Sequence, residues 1–212
     1  TGAIKTWVGG IDFGTQPYDQ IFAQRQIAST FKPILYAAAL EQGITPCSYL
    51  DNKSIIISDF DNWQPSNYDN STGGNYSMAA ALAKSMNIPT VNLFLNIPFN
   101  NLERLWKSLG FTQKLQKKPS VALGTASSSI YELSMAYSAF ANGGYKIKPT
   151  TILNIKTADG IVIYKKKLKK SDEKNRVISQ NTSILLTSML QKAVNEGTGT
   201  SLKNKYDINI PL

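Results

Sequence analysis

The start of one helix reads Arg25-Gln26-Ile27-Ala28-Ser29-Thr30-Phe31-Lys32-Pro33, and the apolar run 34–40 follows it. Pro33 has no backbone N–H and is tolerated only in the first turn of a helix, which places the helix start near Ser29. Ser29 and Lys32 are three residues apart and share one face of that helix, so the amine can reach the hydroxyl. The hydroxyl also lies at the positive end of the helix, which favours a developing alkoxide or oxyanion. This pattern predicts a serine nucleophile with a lysine as its base.

The chemistry of this pair accounts for both residue types. A serine hydroxyl is a weak nucleophile at neutral pH and needs a neighbouring base. Lys32 can be that base only if its pKa lies well below about 10.4. The chain has no histidine, which excludes a Ser-His-Asp triad. The same spacing also arises by chance, so a second interpretation stays open, in which Ser29 only caps the helix and Lys32 is a solvated residue of its first turn.

A second candidate site follows the alanine-rich segment 77–84. It reads Ser85-Met86-Asn87-Ile88-Pro89, and Pro89 disfavours helical angles at Ile88. We therefore expect Ser85 and Asn87 at a helix end or in a loop. A hydroxyl there can relay a proton, and an amide can donate and accept hydrogen bonds. The alternative interpretation is a capping serine and asparagine between two helices.

Together, these two segments resemble the penicillin-binding transpeptidase family, whose motifs are S-x-x-K, S-D-N and K-T-G. The similarity is to the bifunctional, class A members, and it continues in the order of that family along nearly the whole chain. The further matching stretches are residues 2–13, residues 31–43, Trp63-Gln64-Pro65-Ser66-Asn67-Tyr68, Pro119-Ser120-Val121-Ala122-Leu123-Gly124 and Ala139-Phe140-Ala141-Asn142-Gly143-Gly144.

Two departures from the family pattern stand out. Ile27-Ala28 occupies the position where many members have Pro-Gly, a change that we expect to alter the stiffness of the turn rather than the chemistry. No K-T-G follows the segment 196–200. Lys5-Thr6 precedes the nucleophile, and Lys156-Thr157 lies before the hairpin signal Asp159-Gly160, so we expect Lys156 and Thr157 to be solvent-facing strand residues. The third motif is absent from the 212 residues.

The resemblance implies an α+β fold, in which an antiparallel sheet is flanked by helices and by a helical lobe, as in penicillin-binding proteins and serine β-lactamases. We expect residues 1–212 to be a partial transpeptidase domain, truncated before the third-motif strand, with a glycosyltransferase domain and a membrane anchor upstream. Residues 59–74 should form a long loop beside the cleft. Local patterns predict a strand at 3–8, a hairpin of 152–157 with 161–164, and helices at 33–42, 77–84, 102–109, 130–141 and 183–195. Ser129 and Glu132 have capping-box spacing.

The resemblance also implies a function. Ser29 would be the nucleophile, Lys32 its base and Ser85 a proton relay, while Asn87 would bind the substrate amide and orient Lys32. The implied reaction is D,D-transpeptidation of peptidoglycan stem peptides through a serine acyl-enzyme, which β-lactam antibiotics would form as substrate mimics. It uses no metal or cofactor. The implied location is the extracytoplasmic face of the bacterial cytoplasmic membrane, with cell-wall synthesis proteins as candidate partners.

Two alternative functions stay open on the sequence. A D,D-carboxypeptidase or β-lactamase would use the same acylation and pass the acyl group to water. A non-catalytic wall-binding or sensor domain could keep the fold, although Lys32 and Ser85 are both present.

The composition agrees with a folded domain of moderate size. Hydrophobic residues make up 42% of the chain, which is enough for a substantial core in one domain or two small lobes. No apolar run reaches about eighteen residues, so no membrane span is predicted. The net charge is +9, and the densest basic cluster, 165–170, should end the hairpin and enter a solvated loop. Nothing resembles a nucleic-acid-binding module, so we expect no nucleic-acid partner.

Overall fold

The computed structural model describes residues 2–167 and 173–208. Within that part of the chain, the strands form three short antiparallel pairs, which are β1 (Arg25–Gln26) with β4 (Ser127–Ser128), β2 (Tyr49–Asp51) with β3 (Asn75–Ser77), and β5 (Asn154–Lys156) with β6 (Val162–Lys165). The helices are α1 (Lys32–Leu40), α2 (Met78–Ala83), α3 (Asn87–Leu95), α4 (Phe99–Leu109), α5 (Ile130–Ala141), α6 (Gln180–Glu196) and α7 (Ser201–Asn204). The predicted mixture of helices and antiparallel sheet is confirmed.

Helix α1 lies at the centre of the core, because every one of its residues is buried. It packs against α2, α3, α4 and α6. Its sequence is apolar except for Lys32, and Pro33 occupies the first turn, where a missing N–H breaks no helical hydrogen bond. The helix ends before Gly43, which adopts a φ of +83° without steric strain because glycine has no Cβ. The central helix of the fold therefore begins with a buried lysine.

The predicted helices are confirmed, with small shifts at their ends. Helix α5 has the predicted bounds and the predicted capping box between Ser129 and Glu132. Helix α1 starts one residue before the predicted range, and α4 starts three residues before it. Helix α6 also begins earlier than predicted, because Ser179 caps it by accepting a hydrogen bond from the N–H of Thr182.

Helix α3 was missed, because Pro89 was interpreted as a breaker. The helix begins at Asn87, so Pro89 falls in its first turn and Ile88 is helical. The first N–H groups of a helix have no partner within it, so a proline there removes no hydrogen bond. The expectation that Pro89 keeps Ile88 out of helical angles is therefore wrong. The expectation that Asn87 lies at a helix end is confirmed, because α3 begins there.

The predicted strand at 3–8 is not formed. Among the described residues, only Ala3 pairs there, in an isolated parallel bridge to Thr150. A strand is stabilised by a partner along its whole length, which a single bridge does not supply. The hairpin of β5 and β6 is confirmed about Gly160, which has a φ of +83°. Lys165 ends β6 as predicted, and the part of the basic cluster from residue 168 onward lies outside the described residues.

Across residues 2–167 and 173–208, no helix combines the length and the apolar character needed to cross a membrane.

Candidate active site

The turn before α1 carries the predicted nucleophile. Ser29 lies in the 3₁₀ turn Ala28–Phe31, which leads directly into α1, and its side chain is exposed. Lys32, the first residue of α1, is only 1% exposed. Neither the turn nor α1 has a side-chain cap. The interpretation of Ser29 as a helix cap and of Lys32 as a solvated residue is therefore wrong.

Three oxygen atoms from one short segment surround the Lys32 amine. Its Nζ lies 2.6 Å from the carbonyl oxygen of Ser85, 3.1 Å from Ser85 Oγ and 2.8 Å from Asn87 Oδ1. Burial disfavours the charged form and lowers the pKa of Lys32 to about 8. At about pH 7.5, roughly a quarter of such an amine is neutral. The structure thus brings Lys32, Ser85 and Asn87 together around an amine that can accept a proton near neutral pH.

Ser29 is linked to this cluster through the chain rather than by a direct hydrogen bond. Among the described residues, no hydrogen bond joins Ser29 Oγ to Lys32 Nζ, whose three contacts go to Ser85 and Asn87. The N–H of Ser29 donates to none of Lys32, Ser85 and Asn87. Catalytic hydrogen bonds are often long without substrate and tighten when it binds. An unpaired N–H at the nucleophile can stabilise an oxyanion.

Residues 84–86 form the turn that presents Ser85 to the amine. The N–H of Ser85 donates to Leu82 O at 2.9 Å, and the N–H of Met86 donates to Ala81 O at 2.9 Å. Ser85 has a φ of +51°, in the left-handed region that non-glycine residues seldom adopt. Such angles persist where the surroundings fix them, and they are frequent at functional sites. The turn sends both the carbonyl and the hydroxyl of Ser85 toward Lys32.

A buried polar chain joins α1 to α3 beneath the site. The hydroxyls of Tyr36 and Thr90 lie 3.1 Å apart, and Thr90 Oγ1 donates to Met86 O at 2.6 Å. Burial raises the pKa of the Tyr36 phenol, so it stays protonated. Because Met86 lies between Ser85 and Asn87, this chain fixes the segment that contacts Lys32 relative to the helix that carries Lys32.

The nucleophile turn is held from its other side by residues distant in sequence. The N–H of Ala28 donates to Gly124 O at 3.0 Å, and the hydroxyl of Tyr137 donates to Thr30 O at 2.9 Å. Burial raises the pKa of Tyr137 to about 12. Ala28 has a φ of +46°, which an alanine adopts only with strain. Ala28 therefore introduces backbone strain beside Ser29.

The two partial K-T-G matches do not reach the cluster. Lys5 and Thr6 are exposed, and so is Lys156 in β5. Thr157 lies just past β5 and is half-buried, with its Oγ1 accepting a hydrogen bond from the N–H of Ile161 at 3.0 Å. Thr157 is therefore a turn residue of the hairpin rather than the predicted solvent-facing strand residue.

Comparison with known protein families assigns the chain. A family model described as the penicillin-binding protein transpeptidase domain matches residues 1–210. The chain belongs to this family.

Relatives of this transpeptidase domain are themselves penicillin-binding proteins. The chain is 37% identical to penicillin-binding protein 1A of Pseudomonas aeruginosa over 168 residues, which cover 77% of the chain and 20% of that protein. It is 34% identical to penicillin-binding protein 2D of Bacillus subtilis over 195 residues, which cover 90% of the chain and 28% of that protein. The chain thus spans well under a third of the length of these relatives.

Solved structures show that the transpeptidase domain has the penicillin-binding fold. Penicillin-binding protein 1A of Haemophilus influenzae superposes with a TM-score of 0.84 at 24% identity, covering 93% of this chain and 35% of that one. Penicillin-binding protein A of M. tuberculosis, solved as an imipenem acyl-enzyme complex, superposes with a TM-score of 0.73 at 20% identity, covering 84% of this chain and 46% of that one.

A second buried polar cluster in the transpeptidase domain was predicted only in part. Glu132, predicted as half of a capping box, also accepts hydrogen bonds from Gln24 Nε2 at 3.1 Å and from both the N–H and the hydroxyl of Thr112 at 2.9 and 2.6 Å. Burial alone would raise the pKa of Glu132, but these bonds outweigh it and hold the pKa at about 2. Glu132 therefore ties the segment before β1 to α5.

The sequence indicated four candidate site residues of the transpeptidase domain and did not indicate the residues that hold them. Gly124, Tyr137 and Asn67 contact the site from positions far away in the sequence. No local sequence pattern indicates such contacts. Gly124 and Asn67 lie in stretches that resemble the family, but the resemblance did not indicate a role for either residue.

Proposed function

We propose that this transpeptidase domain belongs to a class A penicillin-binding protein and cross-links peptidoglycan stem peptides through an acyl-enzyme on Ser29. The proposal rests on one observation, the buried Lys32 amine that hydrogen-bonds to Ser85 and Asn87 at the base of the turn carrying Ser29. Membership in the transpeptidase family supports it. So does the imipenem acyl-enzyme of the M. tuberculosis neighbour, because a covalent adduct of that kind is what a serine nucleophile would form with a β-lactam.

In the acylation step, Ser29 Oγ attacks the carbonyl carbon of the penultimate D-alanine of a stem peptide. Neutral Lys32 takes the proton of the hydroxyl, and the N–H of Ser29 donates to the oxyanion. The amide bond to the terminal D-alanine then breaks, and its amine leaves with a proton relayed through Ser85. Asn87 contacts the substrate amide and keeps Lys32 in place. The product is an ester of Ser29.

In the second step, the amine of a neighbouring stem peptide attacks the ester carbonyl. It forms the cross-linking amide and returns the proton to Ser29 Oγ. β-Lactams would acylate Ser29 in the same way as the first step and leave slowly. The rate of acylation should rise with pH through about 8, because Lys32 must lose its proton first and burial sets its pKa near that value.

The proposal extends to location and partners. A class A protein would place this domain on the extracytoplasmic face of the cytoplasmic membrane, with a glycosyltransferase domain and a membrane anchor upstream and the third-motif strand downstream. Stem peptides and β-lactams are the proposed ligands, and other cell-wall synthesis proteins are candidate partners.

The decisive experiment is labelling of the full-length protein with a fluorescent penicillin, followed by denaturation and mapping of the adduct by mass spectrometry. We expect a stable adduct on Ser29 that the Ser29→Ala variant lacks. Ser108→Ala, in α4, is the matched serine control and should label like the wild type. Incubation with stem peptides and an acceptor amine then tests whether the product is a cross-linked peptide.

Two results would reject the proposal. Labelling retained by Ser29→Ala would place the nucleophile elsewhere. A wild-type protein that forms the adduct but releases only hydrolysed stem peptide in the presence of acceptor amine would be a carboxypeptidase or a β-lactamase-type hydrolase.

A further inference from the structure

Asn67 is a buried amide whose hydrogen-bonding groups are fully used. It is only 4% exposed. Its Nδ2 donates to Asn52 Oδ1 at 2.7 Å and to Ser71 O at 2.8 Å, while its Oδ1 accepts the N–H of Asn87 at 2.8 Å and the N–H of Ile88 at 3.1 Å. Because donors and acceptors face opposite neighbours, only one orientation of the amide satisfies all four contacts. Asn67 therefore connects the interior of the 59–74 loop to the first residues of α3.

Helix α3 depends on this contact for its start. Met86, the residue just before the helix, provides no side-chain hydrogen bond to it. The first N–H groups of a helix otherwise have no partner, and a side-chain oxygen usually satisfies them from the position just before the helix. Here that oxygen comes from Asn67, about twenty residues away in the chain. The loop therefore fixes where α3 begins.

The same segment fixes the side chain of Asn87. The carbonyl oxygen of Ser66 accepts a hydrogen bond from Asn87 Nδ2 at 2.8 Å. With Nδ2 committed to Ser66, the other end of the amide, Oδ1, points at Lys32 Nζ at 2.8 Å. Asn87 is thus held through its main chain by Asn67 and through its side chain by Ser66. Its remaining polar atom, Oδ1, accepts the hydrogen bond from Lys32 Nζ.

We propose that Asn67 is a positioning residue of the active site, which holds Asn87 at the start of α3 and thereby fixes the Lys32 amine beside Ser29. The proposal rests on the proposed function, since it concerns the same lysine and serine. It assigns a positioning role to the Trp63-Gln64-Pro65-Ser66-Asn67 stretch. Asn67 and Ser66 act through Asn87 and do not contact the Lys32 amine directly.

Two variants of the full-length protein test this role through the second-order rate of acylation by a fluorescent penicillin, measured from about pH 6 to about pH 10. Asn67→Ala removes the acceptor for both N–H groups and should lower the rate by about tenfold or more at every pH, since small misplacements of catalytic groups are that costly. Asn67→Asp keeps an acceptor for both N–H groups, loses the donor to Asn52 Oδ1 and Ser71 O, and adds a negative charge near Lys32. It should retain more of the rate than Asn67→Ala and move the midpoint of the pH profile upward.

Ser179→Ala is the matched control, because it removes a helix-capping side chain at the start of α6, away from the Lys32 cluster. It should lower the melting temperature as a lost cap does and leave the acylation rate and the pH midpoint as in the wild type. If Asn67→Ala, folded at the assay temperature, also leaves both unchanged, Asn67 is only a structural cap and the proposal is overturned.

A titration that needs no acylation separates this proposal from the proposed function. The ¹³Cε signal of Lys32 in lysine-labelled protein reports protonation of the amine directly. A midpoint that moves in Asn67→Ala, which adds no charge, relative to the wild type supports the positioning role even if Ser29 is never labelled, and an unshifted midpoint in that variant contradicts it. Absence of wild-type labelling at Ser29, by contrast, rejects the proposed function alone.

Discussion

Helix α1 and the hairpin of β5 and β6 are both rich in apolar residues, but they place these residues in opposite environments. Every residue of α1 is buried, and Ile34 has no exposed surface. Every residue of β5 and β6 is exposed, and Ile163 keeps 67% of its surface exposed. The helix is packed against four other helices, whereas the hairpin is held by its own ladder and turn.

The difference shows which property of the molecule creates the site. Around α1, packing removes water from Lys32, lowers its pKa and fixes its three oxygen neighbours. The hairpin contains Lys156, Lys165 and Thr157, and it supplies none of the residues placed in the candidate site. The chemistry therefore depends on the burial of a few polar groups, and the apolar content of a segment does not predict it.

The largest effect is expected from Gly124→Ala, which would break the packing beneath the nucleophile turn. A Cβ at Gly124 would lie 1.8 Å from Ala28 O, and the residue has a φ of +83°. Because the backbone next to Ser29 must move, we expect a loss of about 3 kcal/mol or more in unfolding free energy. Penicillin labelling should fall with it. Thermal unfolding and labelling of the full-length protein measure both.

Gly43→Ala is the matched control for that variant. Gly43 has the same φ, but a Cβ there meets no atom within 4 Å. The expected cost is about 1 kcal/mol, from backbone strain alone. Equal losses at the two glycines would show that the contact with Ala28 is not a constraint on the site.

The second prediction tests the buried amine through the pH dependence of stability. The pKa of Lys32 is about 8 in the folded protein and about 10.4 in an unfolded chain. Between these values the unfolded chain binds more protons, so the contribution of Lys32 to stability rises with pH. The stability of the wild type relative to Lys32→Met should therefore increase by about 2 kcal/mol between about pH 8 and about pH 10.

Urea unfolding at several pH values measures this difference. Lys114→Met, at an exposed lysine, is the parallel variant. A stability difference between wild type and Lys32→Met that stays flat over this range would contradict a desolvated amine, and with it the contrast between α1 and the hairpin.

A smaller, stabilising effect is expected from Ala28→Gly. Glycine adopts the φ of +46° at this position without strain. Relief of about 1–2 kcal/mol of strain, less the higher entropy of glycine in the unfolded chain, should leave a net gain of about 0.5–1 kcal/mol. Asn70→Gly, at a φ of +56°, should gain less, because asparagine tolerates this region better than alanine does. A loss of stability at Ala28→Gly would show that the alanine is not strained.

The smallest effect, at Ile163, comes from one substitution made in both regions. Ile34→Val removes a methyl group from the fully buried face of α1 and should cost about 1 kcal/mol. Ile163→Val in β6 removes the same group from an exposed strand and should change stability by less than about 0.5 kcal/mol. Equal costs in thermal unfolding would mean that the hairpin face is covered in the full-length protein.

The sequence predicted best the elements whose signals are local. Pro33 marked the start of α1, the Ser129–Glu132 capping box marked that of α5, and Asp159-Gly160 marked the hairpin. Helix α3 was not predicted, because Pro89 was treated as a helix breaker although it lies in the first turn of the helix, where proline is tolerated. The strand at 3–8 failed because a strand needs a partner elsewhere in the chain, which residue types alone do not reveal.

The candidate site was predicted in residue types but not in its contacts. Ser29, Lys32, Ser85 and Asn87 came from two short patterns and the family resemblance. Their arrangement depends on pairings over more than fifty residues, as between Lys32 and Asn87. The supporting role of Asn67 depends on the fold bringing the 59–74 loop against α3. Such contacts follow from tertiary packing, for which the sequence offered no periodic signal.

The three oxygen atoms around Lys32 Nζ have a consequence for the direction of proton flow. An ammonium group donates to all three, but a neutral amine keeps only two N–H groups and one lone pair. The carbonyl of Ser85 and Oδ1 of Asn87 can only accept, and Asn87 cannot flip because its Nδ2 donates to Ser66. The Ser85 hydroxyl is the one neighbour of the three that can reverse and donate to the lone pair. While Ser29 makes no hydrogen bond to the lysine, loss of a proton from Lys32 thus leaves this hydroxyl free to turn toward the lone pair, which couples the charge of one residue to the orientation of the next.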